Sequence, residues 1–176
     1  YSRRSERWSM PGRYYVVERE IPGGGSALFL ALDTEPIEGR DSAAAPQLAW
    51  ADSILGSTPA DWIVVAGHHP AATAGWHGPQ RSVREALLPL LSGRAHLYVS
   101  GHNHSTELLH TQAGTLQAVC GGGGGLDNPY RVGSTDSTLA SFTNGGWCFL
   151  RIWADSFAVE LYDREGRVQF RQLITG

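Results

Sequence analysis

The chain of 176 residues is long enough for one domain with a hydrophobic core, and 41% hydrophobic with 18% charged residues is typical of a globular protein. The formal net charge is −3 and no basic run is present, which argues against nucleic acid as a partner. No apolar run approaches the roughly 18 residues of a membrane span, so we expect no membrane partner. The sequence begins at Tyr1 rather than Met, and we therefore expect a fragment or a processed chain.

The first half of the chain alternates predicted strands and helices. In chain order the patterns predict a strand hairpin at 14–20 and 27–32, a loop at 35–46, a helix at 46–56, a buried strand at 62–66, a loop at 67–80, a helix at 81–92 and a strand at 95–100. Strand, helix, strand is the order of a parallel βαβ unit. The carboxyl ends of 62–66 and 95–100 are therefore expected at the same edge of a sheet.

The second half of the chain is predicted to be an antiparallel meander. Its expected elements are strands at 105–110, 115–120, 146–153, 157–162 and 167–173, with a long polar loop at 121–143. The five glycines at 121–125 lack the pattern of a phosphate-binding loop and the chain has no Lys, so we expect a loop at the rim of a site. Cys120 and Cys148 could pair, but their apolar strand surroundings favour two buried free thiols.

Two histidine-bearing stretches follow predicted strands. They are Gly67-His68-His69-Pro70 and Gly101-His102-Asn103-His104. Open α/β sheets bind ligands at the carboxyl ends of their strands, and imidazoles gathered there indicate a metal site. Adjacent side chains diverge, so of the pair at 68 and 69 we expect His68 to ligate and His69 to pack or to line the mouth of the site. His96 and His110 are interpreted as structural.

These motifs resemble signature blocks of the calcineurin-like metallophosphoesterases, and more narrowly those of the small purple acid phosphatases of the tartrate-resistant type. The matching residues run along nearly the whole chain and are Tyr1-Ser2, Arg7-Trp8, Pro11, Tyr15, Leu32-Asp33-Thr34, Val64 to Pro70, His77-Gly78-Pro79, the leucine-rich stretch 87–91, and Gly101 to His104. His69 stands where the family pattern has Tyr, and Asn103 where it has Asp.

The resemblance implies an α/β fold, namely a four-layer metallophosphoesterase-like β-sandwich flanked by helices. Residues 1–176 would supply its C-terminal half, ending in an antiparallel meander. It also implies that His68 and His102 bind a divalent metal, that His104 binds an iron-like metal, and that His77 faces the substrate. The cofactors would be two metal ions, iron with iron, zinc or manganese, and the substrate a phosphate monoester. A secreted or periplasmic location is the family-level expectation.

The family's remaining ligands, two aspartates, a tyrosine, an asparagine and a histidine, come from an N-terminal half that lies upstream of the segment matched by Tyr1. Elementary charge balance agrees, because neutral imidazoles cannot offset two metal ions without carboxylates. We therefore expect residues 1–176 alone to be inactive. The missing N-terminal half of the same domain is an expected partner.

Three alternatives remain open at this stage. The same scaffold could hydrolyse phosphodiesters, which substrate screening would separate from monoester hydrolysis. A non-catalytic relative could act as a binding module, in which case the upstream aspartates would be absent. Finally, His68, His102 and His104 could hold a single zinc ion, as other three-histidine sites do.

Overall fold

A computed structural model describes residues 10–124, 132–135, 137–143 and 145–176. The strands are β1 (Tyr15–Glu20), β2 (Ser26–Ala31), β3 (Trp62–Ala66), β4 (Leu97–Ser100), β5 (Thr106–His110), β6 (Leu116–Cys120), β7 (Thr138–Phe142), β8 (Trp147–Ile152), β9 (Ser156–Tyr162) and β10 (Val168–Thr175). The helices are α1 (Glu35–Glu38), α2 (Ala44–Ser57) and α3 (Arg81–Leu91). The matched stretches Tyr1-Ser2 and Arg7-Trp8, and Gly125 of the glycine run, lie outside the described residues.

A seven-stranded mixed sheet forms the centre of the fold, in the order β1-β2-β3-β4-β6-β5-β7. Strands β2, β3, β4 and β6 run parallel to one another, while β1, β5 and β7 are antiparallel to their neighbours. The βαβ unit predicted from the sequence is confirmed, because β3 and β4 pair in parallel with Val64 opposite Leu97, and α3 connects them. The α/β class is thereby confirmed as well.

The large sheet is covered on both faces. Alternate residues of β3 point to opposite faces, as the pleat of a strand requires. Ile63 and Val65 join the core with the helices, whereas Trp62 and Val64 join a second core with Phe157, Val159 and Leu161 of β9. Strands β10, β9 and β8 form the antiparallel three-stranded sheet that carries this second core. The described residues thus stack as helices, large sheet and small sheet.

Three expectations about the elements were wrong. The stretch 35–46 is not a continuous loop, since it holds α1 and the start of α2; Pro36 lies in the first turn of α1, where its missing N–H costs nothing. The stretch 121–143 contains β7. The second half is not one meander, because β6 inserts beside β4 in the large sheet and only β8 to β10 form a separate antiparallel unit.

The two cysteines are paired, which corrects the expectation of free thiols. Cys120 ends β6 in the large sheet, and Cys148 lies in β8 of the small sheet. Their Cα atoms are 5.8 Å apart and the sulfurs form a disulfide between the two layers. The apolar surroundings were recognised correctly, but the pairing depends on how the sheets face each other. No helix within the described ranges is long and apolar enough to cross a membrane.

Candidate metal centre

The two glycine–histidine loops leave neighbouring parallel strands at the same edge of the large sheet. His68 lies two residues beyond the end of β3, and His102 lies two residues beyond the end of β4. The loops are joined by backbone hydrogen bonds from the Gly67 N–H to the Val99 carbonyl and from the Gly101 N–H to the His68 carbonyl, both 3.0 Å. The strand ends therefore fix the two histidines relative to each other before any side chain is considered.

The side chains of His68 and His102 converge at one point. The Nε2 atom of His68 lies 3.3 Å from the Nδ1 atom of His102, and the rings are nearly perpendicular at 87°. Two nitrogens that each lie about 2.05 Å from a tetrahedral zinc ion are about 3.3 Å apart. The spacing of this pair therefore fits two ligands of a single divalent ion.

The backbone at His102 explains how this convergence is reached. His102 has a φ of 62°, in the left-handed region that non-glycine residues rarely adopt. The chain consequently folds back sharply, and the Asn103 N–H donates to the Gly101 carbonyl at 2.7 Å. This turn aims the imidazole of residue 102 at His68, whereas a continued strand would not.

His69 completes a cluster of three histidines with His68 and His102, in which one ring nitrogen from each residue lies within 4.8 Å of the other two. However, the Thr34 hydroxyl accepts the N–H groups of His68 and His69, each at 3.1 Å, and so must donate its own proton to His69 Nδ1 at 2.9 Å. The proton of neutral His69 is thereby placed on Nε2. With one nitrogen occupied and the other protonated, His69 packs beside the pair.

His104 is exposed and lies outside this three-histidine cluster. Its ring sits beside the glycine run, since a β-carbon at Gly124 would lie 3.7 Å from it. The structure thus brings His68 and His102 together and sets His104 apart, within reach of influencing the pKa of His102.

His77 reaches the same edge from the loop before α3. Its ring centroid lies 4.9 Å from that of His102, although the side chain is exposed. Trp76 contacts the ring at a centroid distance of 6.3 Å but is itself 59% exposed. The loop therefore places a fourth imidazole, that of His77, beside the three-histidine cluster.

The surroundings of His69 and His102 favour the uncharged form of their imidazoles. Burial lowers the pKa of His102, and the neighbouring histidines at 69, 77, 68 and 104 lower it further. Burial also lowers the pKa of His69, as does His68, while the carboxylates of Glu35, Glu38 and Asp33 act in the opposite direction. Neutral imidazole is the form that binds metals, so the lowered pKa of His102 favours the form in which it can be a ligand.

Sequence reasoning missed three supporting residues. Thr34 was named only within the matching stretch 32–34, yet it fixes the tautomer of His69. The amide of Gln80 lies 3.3 Å from His102 Nε2 and can donate to it or, with its oxygen and nitrogen exchanged, accept from it. Asn103 accepts the His77 N–H at 3.0 Å. Such partners orient metal-binding histidines, but no local sequence signal marks Thr34 or Gln80.

Comparison with known proteins identifies a family that the sequence matches and several relatives. Residues 8–106 match the family described as calcineurin-like phosphoesterase. Tartrate-resistant acid phosphatase type 5 of Rattus norvegicus is 27% identical over 201 residues, covering 97% of this chain and 59% of the relative. The enzyme of the same name from Mus musculus is 32% identical over 148 residues, covering 74% of this chain and 45% of the relative. The chain thus spans less than two thirds of the length of these relatives.

Solved structures share the fold at low sequence identity. Purple acid phosphatase PPD1 from yellow lupin superposes with a TM-score of 0.78 at 17% identity, covering 96% of this chain and 34% of that one. GAP50, described as the anchor in the inner membrane complex of Plasmodium, superposes with a TM-score of 0.81 at 20% identity, covering 96% and 56%. The family match covers more than half of the chain, which therefore belongs to the calcineurin-like phosphoesterase family.

Proposed function

We propose that the complete protein hydrolyses phosphate monoesters at a dinuclear metal centre, in the manner of an acid phosphatase. The observation that carries the proposal is the 3.3 Å approach of His68 Nε2 to His102 Nδ1, with His77 beside them, at the carboxyl edge of the parallel strands. The acid phosphatase relatives support the same reaction.

In this proposal His68 and His102 bind a divalent ion, and His104 binds a second, iron-like ion. The pair of metals is iron with iron, zinc or manganese. When bound, the two ions supply positive charge that polarises the phosphoryl group and activates water for in-line displacement. Gln80 holds the ring of His102 in its orientation, and Thr34 keeps His69 neutral and out of the ligand set. His77 binds the phosphoryl oxygens or gives a proton to the leaving oxygen.

The proposal requires ligands beyond those in the described part of the chain. The cluster there consists of histidines alone, whereas two metal ions need carboxylates to offset their charge. We assign these ligands to an N-terminal half that would complete a four-layer sandwich. The outer face of the small sheet supports this assignment, because Trp147, Phe149 and Leu173 expose 42% to 54% of their surface there. Without those ligands residues 1–176 alone would be inactive, and an uncovered face of this kind would make them prone to associate.

The disulfide supports a secreted or periplasmic location, since such bonds persist mainly in oxidising compartments.

Two other functions remain as competitors. Phosphodiester hydrolysis would use the same edge of the sheet. A binding role without catalysis is favoured by one observation, the similarity in fold to the Plasmodium anchor protein.

The proposal is tested by replacing His68, His102 and His104 separately with Ala in the complete protein and measuring bound metal by elemental analysis. We expect each variant to lose metal. His110→Ala is the matched control, because His110 is exposed at the end of β5 and lies outside the histidine cluster, so its replacement should not change the metal content.

Turnover of a phosphate monoester and of a phosphodiester by the same preparations separates the competing functions. Unchanged metal in all three variants would exclude the proposed ligands. One metal ion per chain would favour a mononuclear site, and full metal content without turnover of either ester would favour the binding role.

A further inference from the structure

A buried polar network joins the loop that carries His77 to the loop that carries His102. At its base is Glu107 of β5, whose side chain is fully buried. Its carboxylate accepts hydrogen bonds from the Thr73 hydroxyl at 2.8 Å, the Ser105 hydroxyl at 2.5 Å and the Ala74 N–H at 2.7 Å. Three donors satisfy the carboxylate oxygens, so Glu107 is well anchored in the interior.

The Thr73 hydroxyl lies in the middle of the network, and its contacts determine to which partner it donates and from which partners it accepts. It donates its one proton to Glu107, so it can only accept from its other partners. These are the Gly75 N–H and the Asn103 side-chain amide, both at 2.9 Å. The acceptor character of Thr73 therefore requires that Asn103 turns its NH₂ group toward it.

The orientation of the Asn103 amide follows from both of its contacts. With the NH₂ group on Thr73, the amide oxygen Oδ1 faces the His77 N–H at 3.0 Å. The flipped amide would place an oxygen against a hydroxyl without a free proton and an NH₂ group against an N–H donor. Asn103 thus carries a directed chain of hydrogen bonds from Glu107 to the backbone of His77. We call Glu107, Thr73 and Asn103 the latch.

The latch is also tightly packed. Asn103 is 1% exposed, and a β-carbon at Gly75 would lie 2.8 to 3.0 Å from three atoms of its side chain. The loop can approach Asn103 this closely only because residue 75 is glycine. An apolar contact would hold the loop as closely, but only the hydrogen bonds fix the direction of the His77 N–H and hence the point on the loop from which its side chain extends.

We propose that Asn103 is a positioning residue which, through Thr73 and Glu107, holds His77 at its place over His102. This inference rests on the proposed function for its catalytic meaning, but the latch itself is a geometric arrangement. Loss of the latch would let the 73–77 loop move away from the metal centre. A displacement of about 1 Å is enough to lower a rate by roughly 10²-fold when orientation matters.

Thr73→Val and Thr73→Ser form the decisive pair of variants. Valine has the shape of threonine but lacks the hydroxyl, whereas serine retains it and should rescue the network. In Thr73→Val we expect hydrogen–deuterium exchange of the His77 amide to rise at least tenfold, with exchange in β3 and β4 and the bound metal unchanged. In the same variant the ratio of alkyl phosphate to nitrophenyl phosphate turnover should fall about tenfold, since only the alkyl leaving group needs a well-placed proton donor.

Asn103→Leu tests the same contact from the other side and serves if Thr73→Val does not fold. Leucine has a similar volume but neither accepts from the His77 N–H nor donates to Thr73, so it should shift both readouts in the same direction. Unchanged exchange at His77 would overturn the latch. Faster exchange with an unchanged turnover ratio would overturn its positioning role. Absence of turnover in the unaltered protein would instead refute the proposed function, and the exchange measurement would still decide on the latch.

Discussion

Gly121 lies directly against the backbone of Asn103, with no room for a side chain. A β-carbon at Gly121 would overlap the Asn103 carbonyl oxygen, and the Gly121 N–H donates to the Ser105 carbonyl at 3.0 Å. Gly121, the first glycine of the run, therefore packs directly against the loop that carries His102 and His104. The sequence had suggested only a loop at the rim.

We expect Gly121→Ala to destabilise the protein by about 2 kcal/mol, because either the strand end or the histidine loop must shift. The free energy of unfolding in urea measures this change. Gly123→Ala is the matched control in the same run, since a β-carbon there meets nothing within 4 Å. Equal losses in the two variants would show that Gly121 has no special contact.

Under the proposed function, His77→Ala in the complete protein should slow hydrolysis of an alkyl phosphate about 10²-fold, because a poor leaving group depends on a proton donor. Nitrophenyl phosphate, whose leaving oxygen hardly needs a proton, should be affected much less. Steady-state turnover of both esters at one pH provides the measurement. Metal content should not change, because His77 stands beside the cluster and outside it.

Two outcomes would contradict the role given to His77. Equal losses for both esters would leave only a part in binding phosphate. No loss of turnover for either ester would show that His77 is an exposed loop histidine without a role in the reaction.

The Cys120–Cys148 disulfide should stabilise the fold by about 3 kcal/mol, given that the cysteines are 28 residues apart. We expect reductant to lower the urea midpoint of the unaltered protein to that of the Cys120→Ser, Cys148→Ser double variant. The double variant itself should not respond to reductant. A midpoint that stays the same after mass spectrometry has shown both thiols reduced would contradict this expectation.

His96 should make stability depend on pH. Burial lowers the pKa of His96 from its ordinary value of 6.5, and its Nδ1 accepts the Ile63 N–H at 3.0 Å. The contribution of neutral His96 is therefore complete above pH 6.5 and is lost as the pH falls through the lowered folded-state pKa, because the unfolded chain takes up the proton first.

His96→Asn keeps an acceptor for Ile63 but cannot be protonated. Urea midpoints at pH 7.5 and pH 5 should therefore differ less in this variant than in the unaltered protein, although His69 and His102 still contribute. An identical difference in both proteins would show that His96 does not titrate on unfolding.

Local patterns in the sequence were sufficient to predict most elements of the fold. The strand 62–66 has its predicted bounds, and α3 ends one residue before its predicted end, because their apolar residues follow the periods of a strand and a helix. The position of β6 beside β4 was not predictable in this way. Its hairpin with β5 is local, but insertion next to β4 is decided by packing between distant segments.

The same distinction applies to the candidate site. The approach of His68 and His102 followed from two glycine–histidine pairs after parallel strands, a pattern that can be read along the chain. The partners at Thr34, Gln80 and Glu107 come from three other segments, and only the fold brings them to the site. That His68, His102 and His104 bind metal, and that His77 acts as assigned, stays a prediction.

His102 keeps a backbone conformation that glycine would adopt more easily. A residue with a side chain at a φ of 62° costs about 1 kcal/mol or more, and glycine would relieve this cost. His102→Gly would therefore remove this backbone cost, and the imidazole that approaches His68 is held at the expense of stability.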